Sequence, residues 1–382
     1  MMKFATRYQK LSAVVLLTWM LCCVPSAVGQ SASEHASILP GETVLAVSFA
    51  KGTDQSKSNW KKSGLSQLFD HPGLAKFFTT LQNNAKAKQQ SKAFAKVDFR
   101  GLWKIIDGRL TFAMSQQNGK LNTLLVADVK SNAAANNWLN KLKASFNADR
   151  QIFHALKDGK IYVANSAQLL QPMMGNQTGG RSLASLPQFL ATTEVVRAKQ
   201  KRDGIWWFVR PIELGRAASV GKTRPKKEGE FTSEDFFRLA SVEGYDAIQA
   251  AGGTGTIDVD GALNLTAKIA AKRPFRNSMR LLNLPNQKMF RLPDWANDGA
   301  SSVSLFSIPF RKMLGNFATL FDQLYGEGEQ GVFELVLDDI QNDPKGPRVN
   351  LQQEVFAKLG DTISVTALKL SLIHISEPTR PY

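Results

Sequence analysis

The sequence predicts an α+β fold of two similar lobes, each an antiparallel sheet with packed helices, the second lobe truncated. Three observations predict it. Alternating apolar segments and segments of helical spacing follow one another as strand, helices, strand pair, helix, strand pair. The strand pairs are joined by "QNG" and "DG" turns, which close antiparallel hairpins. The opening of this order recurs after Arg291.

The first lobe opens with "ILPGETVLAVSFA", a strand by alternation from Val44. In "SGLSQLFDHPGLAKFFTTLQ", Leu65, Leu68, Phe69, Leu74, Phe77, Phe78 and Leu81 fall at helical spacing, and Pro72 starts the second of two helices. "VDFRGLWKIIDGRLTFAMSQQNGKLNTLLVADV" gives a short helix, a Gly turn and two strands. A helix follows at "NAAANNWLNKLKASF", then a hairpin at "FHALKDGKIYVANS" about Asp158-Gly159. Beyond the strand "GIWWFVRP" lies a basic stretch read as a mobile loop over 215–229, and "TGTIDVDGALNLTAKIA" is a hairpin about Asp260-Gly261. The lobe boundary falls between Lys272 and Arg291.

In the second lobe, "RLPDWANDGASSVSLFSI" repeats an LP followed by an alternating strand. A helix runs through "FRKMLGNFATLFDQLY", and "VNLQQEVFAKLGDTISVTAL" lies over "VDFRGLWKIIDGRLTFAM" with a two-residue gap, so that "DTISVTAL" meets "GRLTFAM". The organisation expected is residues 1–29, 30–271, 272–369 and 370–382.

The first of these segments reads as a secretory signal peptide. Lys3, Arg7 and Lys10 precede the apolar run Leu11 to Cys23, and Ala27-Val28-Gly29 offers a cleavage site after Gly29. The run is shorter than the ~20 residues of a membrane span, which favours cleavage over a retained anchor. Both cysteines, Cys22 and Cys23, lie in it, so the processed chain has no disulfide, thiolate nucleophile or cysteine metal site. Export to the periplasm, cell envelope or medium is the expected localisation. The last segment has a different origin. "LSLIHISEPTR" reads as the translation of a transposon-end adapter from DNA library preparation, so the native chain is expected to depart near Lys369. His374 and Glu377 then have no role. The repeat then calls for a further strand, helix and hairpin, on the order of 50 to 100 residues.

The order of "LP", "SGLSQLFDHPGLAKFF", "VDFRGLWKIIDGRLTFAM", "LLVADV", "GKIYVANS", "SLASLPQF", "FVRP" and "LGDTIS" resembles an uncharacterised family of large exported bacterial proteins common in planctomycetes. The resemblance spans Ile38 to Leu368 and implies a signal peptide and two α+β repeats. It implies no catalytic residue, cofactor or reaction.

The residues themselves assign no catalytic, cofactor-binding or metal-ligating position. "GRAASVGKT" has five residues between Gly215 and Gly221, where a phosphate-binding loop needs four. His35, His71, His154 and His374 form no pair at helical ligand spacing, and His71 in "FDHPG" marks a helix start. No G-x-S-x-G nucleophile turn occurs. "DVDG" at Asp258 to Gly261 reads as a turn, and "ELVLDDIQNDPKG" as a solvated helix end rather than a cation site.

Charge points to partners. Residues 30–369 carry 44 Lys and Arg against 31 Asp and Glu, a net +13. The lysine-rich runs "KSNWKK", "NAKAKQQSKAFAK", "RAKQKRDG" and "KTRPKKEGE" have few interleaved aromatics, which argues against nucleic acid. Anionic envelope polymers or lipid headgroups fit better. The function expected is a non-enzymatic envelope scaffold or binding module. The alternative is an inter-lobe hydrolase or ligand-processing enzyme using Asp, Glu and Lys.

Overall fold

A computed structural model describes residues 32–51, 58–59, 61–63, 66, 99–145, 152–174, 181–197, 204–219, 231–257, 259–261, 263–283, 300–308, 310–326 and 328–368. Residues 1–31, where the signal peptide is expected, most of the expected first helix pair with His71, most of the lysine-rich runs, Asp258 and residues 370–382 lie outside these. The fold is α+β, with a large antiparallel sheet of eight strands and a small one of two. The chain divides into one unit of Met1–Pro225 with Ile248–Ala271, and another of Lys226–Ala247 with Lys272–Tyr382.

In the first unit, helix α1 (Ala32–Ile38) leads into β1 (Thr43–Ala50). Helix α2 (Phe99–Ile105) runs directly into β2 (Ile106–Gln117), which turns back through Asn118-Gly119 into β3 (Lys120–Val129). Both turn residues have positive φ, 50° and 73°, the conformation that closes a two-residue hairpin and that the Asn-Gly pair tolerates. Helix α3 (Asn132–Ser145) precedes the hairpin β4 (Phe153–Lys157) and β5 (Lys160–Ala164), closed by Asp158-Gly159 in the same way. Helices α4 (Ala167–Met174) and α5 (Pro187–Arg197), strand β6 (Ile205–Val209), helix α6 (Pro211–Ser219), and strands β7 (Ile248–Ile257) and β8 (Leu263–Ala271) complete the unit.

The spatial order is β4-β5-β3-β2-β1-β6-β7-β8, every neighbour antiparallel. The first strand of the chain is therefore interior to the sheet. Its sequence "TVLAVSFA" suits that place, because it is apolar on both faces. On one face Ala46, Ala113, Val126, Tyr162 and Phe208 pack with Ala36, Leu169, Leu183 and Phe189 of the covering helical segments. On the other, Leu110, Ala127 and Ile161 pack with Leu102 of α2 and with Trp138, Leu139 and Leu142 of α3. Phe189 of α5 meets Trp206 and Phe208 edge-on at 5.6 and 5.5 Å between ring centroids.

Two expectations need correction. The Gly turn at Asp107-Gly108 is not a turn: β2 already begins at Ile106, and Gly108, at φ 137°, sits where the β2–β3 register shifts between Ile106 and Leu110. Pairing with β1 and β3 on either side outweighs the local turn preference, and the irregularity is absorbed as a bulge. Gly215 to Ser219, expected to open the basic loop, are helical instead. Pro211 starts α6, which carries Gly215 through Ser219.

In the second unit, helix α7 (Ser233–Val242) starts at a capping box, in which Asp235 N–H donates to the Thr232 hydroxyl and Thr232 N–H to the Asp235 carboxylate. A short 3-10 helix (Asn277–Leu282), strand β9 (Ala300–Ser307), helices α8 (Phe310–Tyr325) and α9 (Val332–Asn342), a π-helical turn (Leu351–Phe356) and strand β10 (Thr362–Leu368) follow. The repeated sequence elements adopt a repeated pairing. β1 lies antiparallel to β2 with Val47 opposite Phe112, and β9 lies antiparallel to β10 with Ser304 opposite Val365. Each second strand is entered from a short helical segment, α2 or the π-helical turn. Burial differs. Phe49 is buried on β1, whereas Phe306 is 51 % and Val365 55 % exposed on β9 and β10.

Two carboxylates organise this unit from within. Asp322 of α8 accepts the Gly331 and Phe333 amides at 2.9 Å each, satisfying the start of α9. Glu243, at the end of α7 and fully buried, accepts from the Ser278 amide and the Thr319 hydroxyl, both at 3.0 Å. It thereby ties the 3-10 helix to α8.

Candidate functional site

Two constellations come together that the sequence leaves far apart. The first lies in the core of the first unit. α1 lays His35 over the sheet face carrying Ser48, Thr111 and Asp128. His35 Nε2 is 3.0 Å from Asp128 Oδ1, His35 Nδ1 is 2.6 Å from Thr111 Oγ1, and Thr111 Oγ1 donates to Ser48 Oγ at 2.8 Å. Asp128 also accepts Lys160 Nζ and the Arg109 amide, each at 2.7 Å. Burial pushes the Asp128 carboxyl up, but hydrogen bonding and charge from His35, the Lys160 hydrogen bond and the Arg109 amide outweigh it and hold it at about 2.

A hydroxyl, an imidazole and a carboxylate in a row are the parts of an acyl-transfer triad. Here they are sealed: His35, Thr111 and Ser48 are 0 % exposed and Asp128 is 5 % exposed. A nucleophile must reach a substrate carbonyl, and no face of Thr111 meets solvent. The arrangement is a buried lock that pins α1 to strands β1, β2, β3 and β5. Gly108 makes room for it, since a Cβ there would stand 2.5 Å from Asp128 Oδ2. Gly108→Ala is expected to lower the stability of this unit by about 1–3 kcal/mol, because it adds both that collision and a strained φ. An unchanged urea midpoint would contradict this.

The second constellation is open. In the second unit, the segment from Arg273 through the 3-10 helix and the first turns of α8 form a groove of about 850 Å³. Arg273, Arg280 and Lys312 line it, all three exposed. Arg273 lies over the Phe275 ring, 5.2 Å from its centroid, and Arg280 Nε donates to the Phe275 carbonyl at 3.3 Å. Asn283 and Asn316 add amides, and Pro274, Phe275, Leu281 and Met313 form an apolar floor. No carboxylate is among the described lining residues. Three cations with no counter-ion among the described lining residues make a site for an anion.

The motifs weighed in the sequence lie elsewhere. His154 is on β4, where burial and then the Lys143 charge hold it below its ordinary range. His71 and His374 lie outside the described residues. Glu334, Asp338 and Asp339 are exposed on α9, and no group of three or more His, Cys, Asp or Glu suited to a metal occurs among the described residues. "GRAASVGKT" is helical over its first five residues, a geometry in which backbone amides are spent on the helix rather than on a phosphate. Sequence reading missed His35, because its partners Thr111 and Asp128 are 76 and 93 residues away. It missed the groove because local lysine density drew attention to other segments. Comparison with protein-family models, curated proteins and solved structures gives no match to this chain.

Proposed function

We propose that the protein is an exported, non-enzymatic binding module of the cell envelope whose second unit holds an anionic ligand. The observation that carries this reading is the convergence of Arg273, Arg280 and Lys312 on one open groove whose described lining holds no carboxylate. The net +13 of residues 30–369 adds a long-range attraction of the same sign. The signal-like N-terminus and the resemblance to exported bacterial proteins support the envelope as the compartment. Two observations favour binding over hydrolysis. The described lining of the groove holds no carboxylate pair of the kind acid–base hydrolysis of glycans uses, and the Thr111–His35–Asp128 chain is closed to substrate.

The test is titration of the full chain with soluble polyphosphate by calorimetry. Replacing Arg273, Arg280 and Lys312 together by Gln is expected to weaken binding at least about tenfold and to flatten its salt dependence. Replacing the exposed Lys120, Lys130 and Lys143 of the first unit by Gln removes the same charge and is expected to leave binding nearly unchanged. Equal losses in the two variants, or no binding by the parent chain, would overturn the groove as the site.

A further inference from the structure

We infer that the ligand of this groove is an anionic lipid, its headgroup held by Arg273, Arg280 and Lys312 and its acyl chain laid along α8. This rests on the anion-binding reading above and names the ligand class. The floor of the groove is the first argument. A soluble polyanion gains nothing from Phe275, Leu281 and Met313 beneath the cations, whereas an amphiphile engages both.

The second argument is where the floor leads. Met313 begins a stripe that continues through Phe317, Leu320 and Leu324, at spacings of four, three and four residues along α8. In a soluble domain such a stripe faces the core. Here the helix buries a different side: Ala318 and Asp322 are its buried residues. At about 100° per residue, that side lies roughly 150° around the axis from the apolar stripe. The stripe is only partly covered: Met313 and Leu320 are half-buried, Phe317 meets Phe333 of α9 edge-on at 5.8 Å between ring centroids yet stays 37 % exposed, and Leu324 is 46 % exposed. From Met313 to Leu324 it runs about 16 Å at 1.5 Å per residue. One leaflet's hydrocarbon, half of a roughly 30 Å core, is about 15 Å deep. The cation-lined end and the apolar run thus match a headgroup and one acyl chain in sign, order and length.

The test uses monomeric lysophosphatidylglycerol, below its micelle concentration, against the full chain. Its comparators are lysophosphatidylcholine, glycerol phosphate and soluble polyphosphate. Lysophosphatidylglycerol is expected to bind at least about tenfold tighter than lysophosphatidylcholine or glycerol phosphate. Leu324→Gln, at an exposed position outside the groove lining, is expected to cost about fivefold in lysophosphatidylglycerol affinity and to leave polyphosphate binding unchanged, which also shows that the groove has kept its fold. Both chains keep the apolar run Leu11 to Cys23, so their difference reports α8. If polyphosphate binds through the three cations while lysophosphatidylglycerol binds no tighter than glycerol phosphate, the ligand is a soluble polyanion and the lipid assignment fails alone. If no anionic probe binds, the anion-binding reading falls with it.

Discussion

Asp128→Ala is expected to destabilise the first unit by about 3–5 kcal/mol, because it removes one partner of a buried charged network and leaves the others unpaired. Lys160 loses a 2.7 Å contact, the Arg109 amide loses its acceptor, and His35, fully buried, loses the carboxylate at 3.0 Å. Urea unfolding followed by tryptophan fluorescence reads this directly, since Trp206 is buried in the same unit. A shift in midpoint equivalent to less than about 1 kcal/mol would show that the network is incidental. The parent protein also carries a pH signature. The folded carboxyl, at about 2, lies below its ordinary 3.8, so the fold favours the ionised form. That contribution, about 2 kcal/mol at roughly 1.4 kcal/mol for each pH unit, is complete above about pH 4–5 and is lost as pH falls through about 2. Asp128→Asn should abolish this acid-side slope; its persistence would assign the slope to another group.

Phe189→Ala is expected to cost about 3–5 kcal/mol. Phe189 is 1 % exposed and stands edge-on to both Trp206 and Phe208, so its removal leaves a cavity against two aromatic faces and forfeits their paired geometry. Phe189→Leu, which refills much of the space, should recover part of the loss. The emission of Trp206 should move to the red in the alanine variant before any denaturant is added, as its ring gains freedom. If Phe189→Ala unfolds at the parent midpoint with unshifted emission, then α5 does not anchor this face.

Local chemistry made many elements readable. The Asn118-Gly119 and Asp158-Gly159 turns, the alternation of β1, the 3.6-residue spacing of α8 and the repeated entry into β2 and β10 each depend on residues within a few positions of one another. Where an expectation rests on neighbours across the sheet, the structure departs from it. Gly108 reads as a turn in the chain and is a bulge in the sheet, because β1 and β3 hold the residues on both sides of it. Residues 226–247, inside the expected first lobe of 30–271, group with the second unit, where Glu243 accepts from the Ser278 amide and the Thr319 hydroxyl.

By itself, the sequence determined the alternation of strands and helices, the hairpin turns, the basic charge and the absence of local metal or nucleophile motifs, all of which are sums over near neighbours. Only the tertiary structure decided that β1 lies inside the sheet, that His35 is sealed against Asp128, and that Arg273, Arg280 and Lys312 share one groove. The reason is physical. Long-range pairing is chosen by how the buried faces fit as a set, and contacts 76 or 93 residues apart leave no periodicity in the chain to read.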